Sequence, residues 1–130
     1  MNQTMSAKPT VLVLGAKGRF GAAAVNAFAA AGWQVRAQSR RDDATYPAGV
    51  TAISADAMDS AALCAAAEGA DVVINGLNPI YTEWEELARD LADHALKAAK
   101  SSGALLMLPG NVYNYGRQIP SELDVDTPQV

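Results

Sequence analysis

A chain of 130 residues, half of them hydrophobic and 18 % charged, is sized for one domain with a buried core. Its net charge of −4 and pI near 4.8 argue against a broad nucleic-acid-binding surface, yet leave room for a small phosphorylated ligand held by local donors. One cysteine, Cys64, excludes an internal disulfide framework and suits a reducing cytoplasm, and no apolar stretch approaches the ~20 residues of a membrane helix.

Residues 1–9 are polar, lack the apolar core of a secretory signal and read as a flexible lead-in. Thr10–Leu14 (TVLVL) predicts a strand covered on both faces. A glycine-rich turn follows, and the alanine-rich stretch Arg19–Ala31 predicts a helix stopped by Gly32. Trp33–Gln38 alternates polar and apolar residues, the pattern of a strand nearer the sheet edge. Val50–Ser54 predicts a third strand, and Asp59 or Ser60 can cap a helix running through Glu68 to Gly69. Asp71–Asn75 is a fourth strand, again nearly all apolar. Thr82-Glu83-Trp84-Glu85 forms a capping box for a long helix to about Ser102, stopped by Gly103. Trp84, Leu87, Leu91, Ala95 and Ala98 share the face of that helix expected to meet a sheet. Ala104–Leu108 completes the strands as another covered apolar run, and beyond Leu108 the pattern fades into loop and tail.

Strand–helix alternation at these lengths means βαβ units, hence an α/β fold with a doubly wound parallel sheet of about five strands. Right-handed crossovers place the first and fourth strands at the switch point, where ligands of such sheets lie. Gly15, Gly18 and Gly21 fall between the first strand and the first helix, the setting in which backbone N–H groups hold a pyrophosphate. Gly15 takes the tight turn at the strand exit, Gly18 opens the helix N-terminus to phosphates, and Gly21 lets the helix pack closely. The alternative is a purely structural turn.

The spacing Gly-x-x-Gly-x-x-Gly resembles the extended and atypical branches of the short-chain dehydrogenase/reductase superfamily, the NAD-dependent epimerase/dehydratase-like proteins. The likeness runs from Thr10 to about Pro128. It implies a Rossmann fold, with a cofactor-binding domain at 10–116 and a loop and tail at 117–130 leading to an absent C-terminal portion. It assigns Gly15, Ala16, Lys17, Gly18, Arg19, Phe20 and Gly21 to the pyrophosphate. Ser39 and Arg40 go to the adenosine ribose, Asp56 and Ala57 to the adenine, and Asn75, Gly76 and Leu77 to the nicotinamide ribose. An acidic residue at the ribose would select NAD, whereas Ser39-Arg40-Arg41 suits the 2′-phosphate of NADP. NADP is therefore expected ahead of NAD, with Lys17 and Arg19 adding positive potential on the same side. The plain alternatives are solvated turn arginines and an exposed loop aspartate at Asp56. A shifted turn would bring Asp42 or Asp43 to the ribose instead.

Catalytic members of that superfamily use a Ser or Thr with a Tyr and a Lys four residues later. In "LPGNVYNYG" (108–116) Val112-Tyr113 fits the family segment, but Pro109 stands at the hydroxyl position. No Tyr here is followed four residues later by Lys; Tyr113 and Arg117 copy the spacing in a loop, and arginine cannot release a proton as lysine does. Tyr113 is the catalytic candidate the chain offers. Asn111, Tyr113 and Tyr115 are placed to line a substrate pocket, although loop packing explains them equally. Glu122–Val130 resembles the acidic loop that precedes the family's Tyr–Lys helix, so the chain is expected to stop before that helix and the sixth strand. The resemblance implies the NAD(P)-binding domain of an epimerase/dehydratase- or reductase-like oxidoreductase acting on a small molecule, catalytically incomplete as given. The alternative is a non-enzymatic dinucleotide sensor resembling the NmrA-like regulators, which keep the glycine loop without the catalytic Tyr. Elsewhere His94 reads as a surface histidine, Cys64 as a small core residue, and Glu83, Glu85 and Glu86 as an acidic helix start.

Overall fold

Among the described residues there are five short strands and three helices, in the order β-α-β-β-α-β-α-β, and every paired strand is parallel. The computed structural model describes residues 8–41, 43–77, 84–110 and 116–129. The strands are β1 (Thr10–Leu14), β2 (Gln34–Ser39), β3 (Val50–Ser54), β4 (Val72–Asn75) and β5 (Leu105–Met107). The helices are α1 (Arg19–Ala30), α2 (Ser60–Ala67) and α3 (Trp84–Ser102). The sheet runs β3-β2-β1-β4-β5, so β1 and β4 are neighbours and the chain changes direction between them, as the alternation and right-handed crossovers require.

Strand β1 explains the core. It is paired on both edges, and all five of its residues are buried. Val11 and Val13 point to the α1 side and join Val25, Val35, Ala37, Val72 and Ile74. Leu12 and Leu14 point the other way and join Leu63 and Ala67 of α2 and Ala95 and Ala98 of α3. Two apolar layers around one strand require the unbroken hydrophobic run seen in TVLVL. In α3 the expected face is the packed one: Leu91, Ala95 and Ala98 are buried and Leu87 is half-buried. Thr82 and Glu83 of the expected capping box lie outside the described residues.

Strand β2 lies between β1 and β3, one strand in from the β3 edge and so nearer that edge than the central β1, as its alternation predicts. Gln34 is exposed, but the polar side chains of Arg36 and Gln38 are bonded inside the molecule. Arg36 Nη1 donates to the carbonyls of Ala66 (2.7 Å) and Glu68 (2.6 Å), closing the C-terminal end of α2. Strand β5, read as covered on both faces, is an edge strand whose Leu105 and Met107 are 65 % and 41 % exposed. Leu106 alone of the three packs on the core beside α3, because no described element covers the opposite face.

Element ends also shift. Trp33 precedes β2 and packs edge-on against Phe28 of the preceding helix, with ring centroids 4.8 Å apart. Asp59 rather than Ser60 caps α2, accepting from Ala62 N at 3.1 Å. Asp71 lies just before β4, and its Oδ2 accepts from the backbone N–H of Thr10 at 2.8 Å, fastening β4 to the start of β1. The described residues 116–129 form turns and no helix or strand.

Candidate functional site

The rim formed by the C-terminal ends of β1, β2 and β4 carries the glycine loop, and a polar side chain from β2 shapes it. Gln38 is 2 % exposed. Its Oε1 accepts from Gly15 N at 2.9 Å, its carbonyl accepts from Ala16 N at 2.9 Å, and its Nε2 donates to the Ala55 carbonyl at 2.6 Å. One glutamine thus holds the first two residues of the loop to the exit of β3. Sequence reasoning missed it; the available signal was a polar residue at the last inward position of a strand whose next residue enters the ribose region.

The three loop glycines have different reasons to be glycine. Gly15 sits at φ +73°, and a Cβ there would lie 2.6 Å from the Gly76 carbonyl oxygen. A Cβ on Gly21 would lie 2.1 Å from the Gly15 carbonyl oxygen, so α1 packs directly on the loop. Gly76 is equally constrained, its Cβ position lying 2.7 Å from the Leu14 carbonyl oxygen. Gly18 is not constrained in this way. Its φ is −73°, and the one close neighbour of an added Cβ is the Gly15 oxygen at 3.4 Å, an ordinary contact. Gly18 is also the N-cap of α1, with no side-chain cap and no acidic residue in the first turn. Helix α2, by contrast, is closed by the Asp59 carboxylate. The start of α1 therefore presents N–H groups and positive dipole with no capping anion among the described residues.

Two clefts meet at this loop. The first, about 530 Å³, is lined by Gly15, Lys17, Gly18, Gln38, Ser39, Arg40, Arg41, Asp43, Asp56, Ala57, Met58, Leu77, Leu87 and Leu91. The second, about 700 Å³, is lined by Gly15, Gly18, Arg19, Phe20, Ala23, Gly76 and Leu77. Lys17 and Arg19 thus part company, one to each cleft, instead of adding charge on one side. Ala16 is buried with its N–H spent on Gln38, Gly21 packs against the loop, and Asn75 Oδ1 accepts from Leu77 N at 3.1 Å; these three line neither cleft. Asn111 and Tyr113 lie outside the described residues, as does Asp42.

Charge in the first cleft is partly balanced, with Lys17, Arg40 and Arg41 against Asp43 and Asp56. Lys17 Nζ donates to Asp43 Oδ1 in an ion pair whose side chains are 41 % and 56 % exposed. The lysine hydrogen bond holds the Asp43 carboxyl below the ordinary carboxylate value. Ser39 Oγ donates to the Arg41 carbonyl at 2.6 Å and Ser54 Oγ to the Arg40 carbonyl at 3.1 Å, fixing the turn while both arginine side chains stay exposed. Asp56 Oδ1 accepts from Met58 N at 2.9 Å. His94 is not a free surface histidine: its Nδ1 lies 2.9 Å from the Ala57 carbonyl, tying α3 to the wall of the cleft.

The model of the NmrA-like family matches residues 7–104. This chain belongs to the NmrA-like family. Among solved structures it is similar to a Rossmann-fold NAD(P)-binding family protein from Shigella flexneri, at 25 % identity over 77 % of this chain and 50 % of that one, with a TM-score of 0.65. A candidate exported protein from Burkholderia pseudomallei aligns at 28 % identity over 92 % of this chain and 55 % of that one, with a TM-score of 0.68. A short-chain dehydrogenase/reductase superfamily protein from Agrobacterium tumefaciens, solved with bound NAD, shares the fold at 23 % identity, 93 % and 39 % coverage and a TM-score of 0.67. The NmrA-like chain spans about half the length of the first two of these structures. No curated protein matches it. The fold is the Rossmann fold that these structures share, in keeping with the epimerase/dehydratase-like resemblance of the sequence, and the matched family is the NmrA-like one. Among the described residues no helix is long and apolar enough to cross a membrane.

Proposed function

We propose that this NmrA-like domain, residues 10–116, binds an NAD(P) dinucleotide across the rim of the sheet. The pyrophosphate rests on the uncapped start of α1. The adenosine occupies the first cleft between Ser39-Arg40 and Asp56-Ala57, and the nicotinamide end turns toward Phe20, Gly76 and Leu77 in the second. The observation that carries this reading is Gly18. Gly15, Gly21 and Gly76 are glycines because the chain's own backbone crowds them, whereas Gly18 has room for a side chain. A glycine with room to spare, at a helix start with no anion of its own, is accounted for by a ligand whose phosphates come close.

Arg40, Arg41 and Lys17 in the adenosine cleft support NADP ahead of NAD. When bound, the nicotinamide supplies hydride chemistry, and the domain supplies orientation. In a longer protein that chemistry is the work of an epimerase/dehydratase- or reductase-like oxidoreductase on a small molecule. The second reading, a dinucleotide-sensing regulator, is favoured by the family match and by Pro109 at the hydroxyl position. A single cysteine suits a reducing cytoplasm in either case.

The test is Gly18→Val, titrated with NADPH by its fluorescence. The variant should keep the wild-type circular dichroism, since the backbone there is extended and the space is open, and should lose NADPH binding. Undiminished NADPH affinity in a folded Gly18→Val protein would sink the assignment.

A further inference from the structure

The Lys17–Asp43 ion pair joins the glycine loop to the connection between β2 and β3, and both side chains line the cleft that holds Ser39, Arg40 and Arg41. It is the one ion pair among the described residues. We infer that Asp43 is a built-in counter-anion for Lys17, one that a ligand phosphate must displace, and that it thereby tunes how strongly the cleft holds phosphate-bearing ligands. This rests on the dinucleotide reading above.

Three features of the pair support an exchange. Both side chains are about half exposed, so water screens the pair and separating it costs little. The lysine ammonium is a point charge on a flexible stem with three donors, free to swing from a carboxylate to a phosphate without a fixed fork to realign. Lys17 also adjoins Gly18, the uncapped start of α1, so the swing moves its charge within the region proposed for phosphates. After the exchange Asp43 is left ionised beside an anionic ligand. The carboxylate therefore opposes binding twice, by competing for Lys17 and by repelling the phosphate. The opposition grows with ligand charge, so a dinucleotide with a third phosphate feels it more.

Replacing Asp43 with Asn keeps the shape and removes the charge. We expect Asp43→Asn to tighten NADPH about two- to fivefold at low ionic strength, the size an exposed ion pair carries. NADH should gain less, and high salt should erase the difference. In a Lys17→Met background the same substitution should give a clearly smaller gain, because the competition is gone and only repulsion remains. Titrations of the four proteins with NADPH and NADH, each checked by circular dichroism, separate the outcomes. Unchanged or weaker NADPH binding in Asp43→Asn, or an equal gain with and without Lys17, overturns the counter-anion role while wild-type binding upholds the dinucleotide site. A wild-type protein that binds neither dinucleotide overturns the dinucleotide reading itself, and this inference with it.

Discussion

Arg40 and Asp43 line the same cleft with opposite charges, and in the proposed reading the balance between them sets which dinucleotide it prefers. A hydrogen bond from a guanidinium to a phosphate contributes about 1.5–3 kcal/mol. Arg40→Ala should accordingly weaken NADPH about ten- to a hundredfold and leave NADH nearly unchanged in parallel titrations. NADH binding as tightly as NADPH to the wild-type protein would remove the Arg40 reading. The Ser39 hydroxyl contributes less than the sequence suggests, because its proton is engaged by the Arg41 carbonyl and must turn away to meet a phosphate. Asp43 brings a pH signature. Its carboxyl is held below the ordinary value of 3.8, first by the hydrogen bond from Lys17. A group whose folded value is depressed adds stability above its unfolded value and loses it as pH falls through the folded one. The pair is therefore intact throughout the neutral range and fails only in acid below 3.8. Carboxyl chemical shifts should show Asp43 titrating below its ordinary value in the wild type and returning toward it in Lys17→Met. An identical titration in both proteins would break the link between the two residues.

At the scale of elements, β2 does more than fill the sheet. Its inward polar residues fasten three other parts of the fold: Arg36 the end of α2, and Gln38 the glycine loop and the exit of β3. Gln38→Leu would strand the Gly15 N–H and the Ala55 carbonyl, at about 1–3 kcal/mol for each group left unpaired. Urea unfolding should register that loss, and dinucleotide affinity should fall with it. Arg36→Met should cost stability alone, since its partners Ala66 and Glu68 line neither cleft. Wild-type stability in Gln38→Leu would mean that the glutamine does not hold the loop. The same strand shows where the sequence misleads. Alternation tells which residues differ in polarity, not whether water lies on the polar side. A glutamine facing a loop N–H and one facing solvent leave the same pattern. Trp33 is similar: an aromatic at the head of a strand-like run fits a strand start, yet its ring is claimed by Phe28 across the turn.

For the whole molecule, the sheet order was legible because alternation and crossover handedness leave few choices, and most of the cleft followed from it. Residues at the ends of parallel strands gather on one rim, so Gly15, Ser39, Arg40, Asp56 and Leu77 meet in one cleft although they are scattered along the chain. Contacts between distant segments were not legible: Lys17 with Asp43, His94 with Ala57, and Gln38 with Gly15 depend on three-dimensional register that no local pattern encodes. The exposed face of β5 was hidden for a related reason, since an apolar strand does not state whether anything will cover it. The crowding of Gly15 against Gly76 also bears on the order in which the molecule assembles. These two backbones meet across half the chain, so the wall of the cradle exists only after β4 has docked beside β1, a non-local step that comes at the expense of loop entropy. A dinucleotide then has no finished partner on a partly made chain, and it favours the completed fold by mass action rather than templating it. A nascent polypeptide that has emerged only as far as α2 already carries every glycine of the loop, but not the strand that closes it.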